Sequence, residues 1–215
     1  MANTHERTIA RNGTHEIEVR KSRFICTLMR TTTEDDARSA IEATRKRYWD
    51  ANHTCTAWRI GPEGRLQRSS DDGEPAGTAG IPMLEVLRYR ELTDVLAMVA
   101  RYFGGTKLGA GGLIRAYGTV VSETIGIVGI VERRPLHIQS FNAPHAGSGR
   151  IEHALRASVY PLREVAYNAS GAEFTVNLEP AAIAPFASFL AELTMGQAAP
   201  VDQGTETVEV PVSAE

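Results

Sequence analysis

Two glycine-dense stretches carry most of the residues that could do chemistry. The first, SSDDGEPAGTAG over 69–80, places Asp71, Asp72 and Glu74 within four positions. Carboxylates so spaced could bind a divalent cation or supply an acid/base pair. The same letters also make a turn, in which aspartates cap and glycine reverses the chain. Adjacent residues point in different directions, so spacing alone does not put Asp71 and Asp72 in one site. The second stretch, RYFGGTKLGAGGLIRAYG over 101–118, sets Arg101, Lys107 and Arg115 among Gly104, Gly105, Gly109, Gly111 and Gly112. It is not a Walker A loop, because Lys107 precedes the second glycine cluster and no GK[ST] follows. It is not a dinucleotide fingerprint either, because Ile114 stands where the third glycine should be.

What remains is a strand, a glycine loop and a helix, with free N–H groups at the helix start that favour an anion. The five glycines form a candidate anion-binding loop, and Arg101, Lys107 and Arg115 are candidate contacts to a nucleic-acid phosphate. Close packing of backbone is the alternative purpose of the glycines. Arg20, Lys21 and Arg23 are a second basic cluster, read either as a solvated edge or as further phosphate contacts. His53 and Cys55 fall on one face of a strand, as two metal ligands would, but zinc wants two more nitrogen or sulfur ligands. A strand-end histidine beside a buried thiol is the reading adopted. With no GxSxG, no HExxH and no cysteine with a convincing histidine partner, no catalytic residue, metal or cofactor is assigned.

Several elements must position these loops. IEVRKSRFICTLMR (17–30) reads as a strand whose apolar parity fails at Lys21–Arg23, which predicts a bulge or bend there. Thr33–Tyr48 reads as a helix: Thr33 and Asp36 form a capping-box pattern, acids fill the first turn and bases the last, and Ala37, Ala40, Ile41, Thr44 and Tyr48 make one stripe. HTCTAWRIG, the turn GPEG and RLQRSS form a hairpin. Thr78 is the expected cap of a helix burying Met83, Leu84 and Leu87. ELTDVLAMVARYF is apolar on both parities, as a central strand covered on both faces would be. Leu113, Ile114, Tyr117, Val120, Val121, Thr124 and Ile125 mark a second amphipathic helix. From Arg133–Pro135 onward the order β-α-β-β-α-β is that of a ferredoxin-like domain. Two domains are therefore expected, at 1–135 and 136–215.

Composition narrows the class. At 42% hydrophobic and 23% charged, the 215 residues are those of a soluble globular chain. No apolar run is long enough to span a bilayer, and the N-terminal MANTHERTIARNG lacks a signal peptide's apolar core, so a cytoplasmic protein with no membrane partner is expected. Cys26 and Cys55 are read as buried free thiols. The net charge of −3 hides an asymmetry: residues 1–135 carry 20 Lys and Arg against 17 Asp and Glu, whereas residues 136–215 carry 3 against 9. An acidic second domain could dock a basic protein partner.

The motifs SDDGEPAGTAGIPML and VARYFGGTKLGAGGLIRAYG, with KSRF and HTCTAW upstream, resemble the YigZ/IMPACT family over nearly the whole chain. One departure is visible: many bacterial members have a second histidine where this chain has Thr54. The resemblance implies an α+β protein with an N-terminal domain of the ribosomal protein S5 domain 2-like type, similar to domain IV of elongation factor G. The C-terminal ferredoxin-like domain would then resemble that factor's domain V. Eukaryotic relatives regulate translation through an additional N-terminal module, so that activity is not carried over. The elongation-factor likeness implies RNA or the ribosome as partner. The leading expectation is a non-enzymatic RNA- or ribosome-binding protein affecting translation. The alternatives are a metal-dependent enzyme acting on a phosphorylated substrate through Asp71, Asp72 and Glu74, and a protein-binding adaptor.

Overall fold

A computed structural model describes residues 6–212, which form two compact units. The first runs to Arg133 and takes in the chain from Glu209; the second is Arg134–Val208.

The first unit is built on a sheet of five strands: β2 (Gly13–Val19), β3 (Ser22–Arg30), β4 (His53–Ile60), β5 (Leu66–Ser70) and β6 (Val95–Tyr102). Their order is β2-β3-β6-β4-β5, with every pairing antiparallel. β6 is central, and its alternation explains its double apolarity. Val95, Ala97 and Val99 enter one core, while Leu96 and Met98 enter another on the opposite face. The first core is closed by α2 (Gly80–Tyr89) and α3 (Ala110–Val128), the second by α1 (Glu34–Arg47). Helix α1 begins as its sequence demands: Thr33 Oγ1 accepts from the Asp36 N–H at 3.1 Å. Its stripe is shallower than expected, with only Ala37 and Thr44 buried, since it covers the sheet's smaller core.

Three expectations change here. The break at Lys21–Arg23 is not a bulge but a two-residue hairpin turn. Val19 pairs with Ser22, and Arg20 and Lys21 both take positive φ, at 48° and 66°. Primed turns of this kind match the twist of the flanking strands, and reversing the chain resets the apolar parity. Thr78 does not cap α2; its hydroxyl donates to Pro75 O at 2.7 Å. In α3, Ile114 is 44% exposed and Ala116 takes the buried position, because the stripe turns toward β2 and β3. A short strand β1 (Glu6–Ile9), outside the expected elements, pairs Glu6–Ile9 with Ile130–Arg133.

Strand β7 (Ile130–Ala143) runs through the division between the units. In the second unit it is followed by α4 (His145–Arg156), β8 (Leu162–Asn168), β9 (Gly171–Leu178), α5 (Ile183–Thr194) and β10 (Val201–Pro211). That is the element order β-α-β-β-α-β, with strands placed β10-β7-β9-β8. The core gathers Phe141, Phe174, Phe186, Ile151, Leu155 and Leu190. Pro185 falls in the first turn of α5, where its missing N–H costs no intrahelical bond.

Candidate functional site

The acidic loop lies between β5 and α2, and its three carboxylates go to three different places. Asp71 Oδ1 accepts from the N–H groups of Ala79 (3.0 Å) and Gly80 (2.8 Å), and Oδ2 from that of Gly77 (2.8 Å). It therefore supplies the cap that α2 lacks locally. Burial pushes its pKa up, but the three donors outweigh this and hold the carboxyl below the usual range. Asp72 Oδ2 accepts from Thr54 N at 2.7 Å and Oδ1 from Arg45 at 2.8 Å, tying the loop to β4 and to α1. Glu74 turns inward and is 7% exposed. Its Oε1 accepts from Arg101 Nη1 at 2.6 Å and from the Tyr117 hydroxyl at 2.8 Å. The loop is thus a clasp, each acid neutralised by a different element. Among the described residues no cluster of three or more His, Cys, Asp or Glu side chains could hold a metal ion. The geometry does not bring Asp71, Asp72 and Glu74 together as a cation site.

The same network absorbs the other polar residues nearby. His53 Nδ1 lies 2.8 Å from Asp72 O, and its Nε2 is 3.9 Å from Glu74 Oε2. Cys55 Sγ sits 3.0 Å from Asp71 O and 3.3 Å from the Tyr117 hydroxyl oxygen, so one thiol proton has two acceptors. Burial pushes the Cys55 thiol up to about 12, against a lowering by Tyr117, and burial does the same to Cys26. Both are protonated thiols rather than nucleophiles. Burial above all, with the nearby thiol and Glu74, also raises the Tyr117 phenol, which remains a donor to Glu74. At Thr54, the position of the family departure, the side chain is buried and the backbone N–H holds Asp72.

The basic loop joins β6 to α3. Gly104 is there for close approach: a Cβ would lie 2.0 Å from the carbonyl carbon of Lys21, and its N–H donates to Ser22 Oγ at 3.1 Å. The β2–β3 turn thus rests on the glycine loop. Gly105 and Gly109 take positive φ, at 83° and 71°, with open space around them. Gly111 and Gly112 lie in the first turn of α3, where no side chain caps the helix. Its first N–H groups are left to solvent or a ligand.

The basic residues divide into two groups. Lys107 and Arg115 are exposed and have no acidic partner among the described residues; Arg20 and Lys21 stand exposed at the hairpin tip. Arg101 must be reassigned: at 6% exposure it is buried, spent on Glu74, and stacked near Phe24 and Phe103. It belongs to the clasp, not to the exposed basic surface. Arg23 pairs with Glu16 through two bonds of 2.6 and 3.0 Å on the neighbouring strand, so its charge is already met.

Between the two loops lies a cleft of about 490 Å³, lined by His53, Glu74, Arg101, Phe103, Lys107 and Leu113 among others. Tyr117, Phe103 and His53 are residues that sequence reasoning did not assign to the site. Tyr117 hides because its helical spacing reads as core, which it also is, with its ring 5.2 Å from Phe24 in an edge-on contact. No spacing in the sequence marks Glu74 and Arg101 as partners, which lie 27 positions apart and meet only in the fold.

These features define a class: a two-unit α+β protein in which an acidic clasp and a basic glycine loop face one cleft. The chain belongs to the IMPACT family. The Impact N-terminal domain matches residues 20–125, and a domain of unknown function, DUF1949, matches residues 141–197. It is 47% identical over 190 residues to the IMPACT family member YvyE of Bacillus subtilis, covering 88% of this chain and 87% of that protein. It is 43% identical over 121 residues to the IMPACT family member YigZ of Escherichia coli, covering 55% of this chain and 59% of that one. A crystal structure of a hypothetical protein, 33% identical, matches with a TM-score of 0.58 over 92% of this chain and 96% of its own.

Proposed function

We propose that this protein binds RNA, as free strands or on a ribosomal surface, and acts in translation without catalysing a reaction. The observation that supports this reading is the merging of the two basic clusters into one surface. Because Gly104 admits the Lys21 backbone, the hairpin tip with Arg20 and Lys21 lies against the glycine loop. Arg20 and Arg115 line one groove of about 170 Å³ with Leu108 and Gly112 between them. Lys107 and the uncapped start of α3 extend the same surface. Cations flanking exposed helix N–H groups suit a phosphate backbone. The elongation-factor likeness that the sequence resemblance implies favours RNA as the polyanion. No helix among the described residues is long and apolar enough to cross a membrane.

Cosedimentation with ribosomes and filter binding to single-stranded RNA, across a salt series, test it. Affinity should fall with a log–log slope of about 0.7 per contacted phosphate. Arg20→Ala and Arg115→Ala should each weaken binding and reduce that slope. Binding that is absent at low salt, or that is unchanged in the double variant, would overturn the reading.

A further inference from the structure

The cleft between the loops has features that a merely packed joint does not need. Arg101 lines it and is 6% exposed; among the described residues its side chain makes a single hydrogen bond, from Nη1 to Glu74, and its Nε has no partner. A buried donor without a partner costs on the order of a hydrogen bond's desolvation, and demands an explanation. At the same cleft, α3 begins at Gly109–Ala110 with no side-chain cap, and Lys107 stands beside it without an acidic partner among the described residues. Glu74, the one carboxylate in the lining, is already met by Arg101, Tyr117 and the nearby His53. The lining therefore carries two bases against one acid, together with the residues that open α3.

The rest of the lining is apolar. Pro75, Leu108 and Leu113 form walls, and Phe103 stands at the cleft 46% exposed, with the Arg101 guanidinium 5.7 Å from its ring centre. An exposed aromatic beside a cation is a platform for a planar ring, since bases stack on aromatic side chains and guanidinium planes. A volume of about 490 Å³ lies in the range of small-molecule sites.

We infer that this cleft binds a nucleoside monophosphate group, its phosphate at the start of α3 with Lys107 and its base on Phe103 beside the Arg101 guanidinium. The group could arrive as a free nucleotide or as the 5′-phosphorylated end of a strand. The RNA reading above shares Lys107 and the start of α3 with this cleft, but its groove of Arg20 and Arg115 is a separate one and Phe103 belongs to the cleft alone, so the two readings can fail separately.

The full chain is titrated with AMP, adenosine and inorganic phosphate, followed by amide NMR and calorimetry. AMP should bind with a dissociation constant of about 1 mM or tighter and shift the amides of Ala110, Gly111 and Gly112. Adenosine and phosphate alone should bind at least about tenfold more weakly, because each lacks one half of the contact. Phe103→Ala should lower AMP affinity about five- to hundredfold and Lys107→Ala about three- to tenfold. Both altered side chains are exposed, so thermal melts should show a retained fold. If either variant unfolds, the amide shifts of the parent chain decide alone. A 5′-phosphorylated hexaadenylate that binds tighter than both AMP and its 5′-hydroxyl counterpart identifies the strand end as the source; AMP binding as tightly as the oligonucleotide identifies the free nucleotide. No saturation by AMP up to about 10 mM, shifts confined to residues away from the cleft, or parent-like affinity in both variants would overturn the inference.

Discussion

Removing the Asp71 carboxylate tests the clasp most directly, because one side chain satisfies three backbone donors. Two of them, Ala79 and Gly80, open α2, and the third, Gly77, holds the loop before it. At about 1 kcal/mol per bond, and somewhat more for an ionised acceptor, Asp71→Ala should cost about 3 kcal/mol. That exceeds the usual loss of about 0.5–2 kcal/mol for a helix cap. Asp71→Asn keeps an oxygen for Ala79 and Gly80 but turns an amide N–H₂ toward the Gly77 donor, so one bond is lost, at about 1 kcal/mol. With about 2–4 °C of Tm per kcal/mol for a chain of this size, the drops should be about 6–12 °C and 2–4 °C. Trp49 and Trp58 both lie in the first unit, so their fluorescence reports its unfolding without interference from the second. The pH dependence has a definite sign. Asp71 is held below its unfolded pKa, so its contribution is complete above the ordinary carboxylate range and is lost as pH falls through the lowered value. The gap between the parent and Asp71→Asn should therefore be flat from about pH 5 to 8 and close below about pH 4. An Asp71→Ala melt within about 1 °C of the parent, or equal losses in the two variants, would refute the assignment of Asp71 as the α2 cap.

Three other outcomes follow from the same geometry. Arg101→Met should lower stability by about 3–5 kcal/mol by leaving Glu74 charged and buried, while Glu74→Gln with Arg101→Met should cost less than the sum of the singles in a double-mutant cycle. Strict additivity would show that the pair is not coupled. Gly104→Ala should lower the Tm by several degrees, since its Cβ would meet the Lys21 carbonyl carbon at 2.0 Å; Gly105→Ala, with free space but φ of 83°, should cost only about 1 kcal/mol. Equal melts for the two would remove close approach as the reason for Gly104. Cys26 and Cys55, each pushed up to about 12, should present about one thiolate in ten thousand at pH 8, and should react with a disulfide reagent only after unfolding. Rapid labelling of the native chain would contradict the buried network around Tyr117.

Elements with a local cause were legible in the sequence. Helix α1 carries its own cap, charge gradient and stripe, and β6 shows its double burial in an unbroken apolar run. The Arg20–Lys21 turn was hidden because neither residue is a glycine or asparagine, the usual marks of positive φ in a two-residue hairpin. Thr78 is the nearest capping residue in the sequence, but the group that caps α2 is Asp71, far enough upstream to reach the helix only through the loop's reversal.

By itself the sequence determined that two glycine loops of opposite charge stand on either side of a helix and a strand, and that neither is a standard nucleotide fingerprint. Spacing and composition suffice for that, because glycine density and side-chain chemistry are local properties. Only the tertiary structure decided which charges remain available. Arg101 and Arg115 are equally basic as letters, yet one enters the core to meet Glu74 while the other stays exposed. The physical reason is that burying a charge is favourable only beside a partner, and Glu74 is brought to Arg101 by the folding of the acidic loop over β6. The same folding leaves the Nε of Arg101, whose side chain lines the cleft, without a partner among the described residues, which no linear reading could locate.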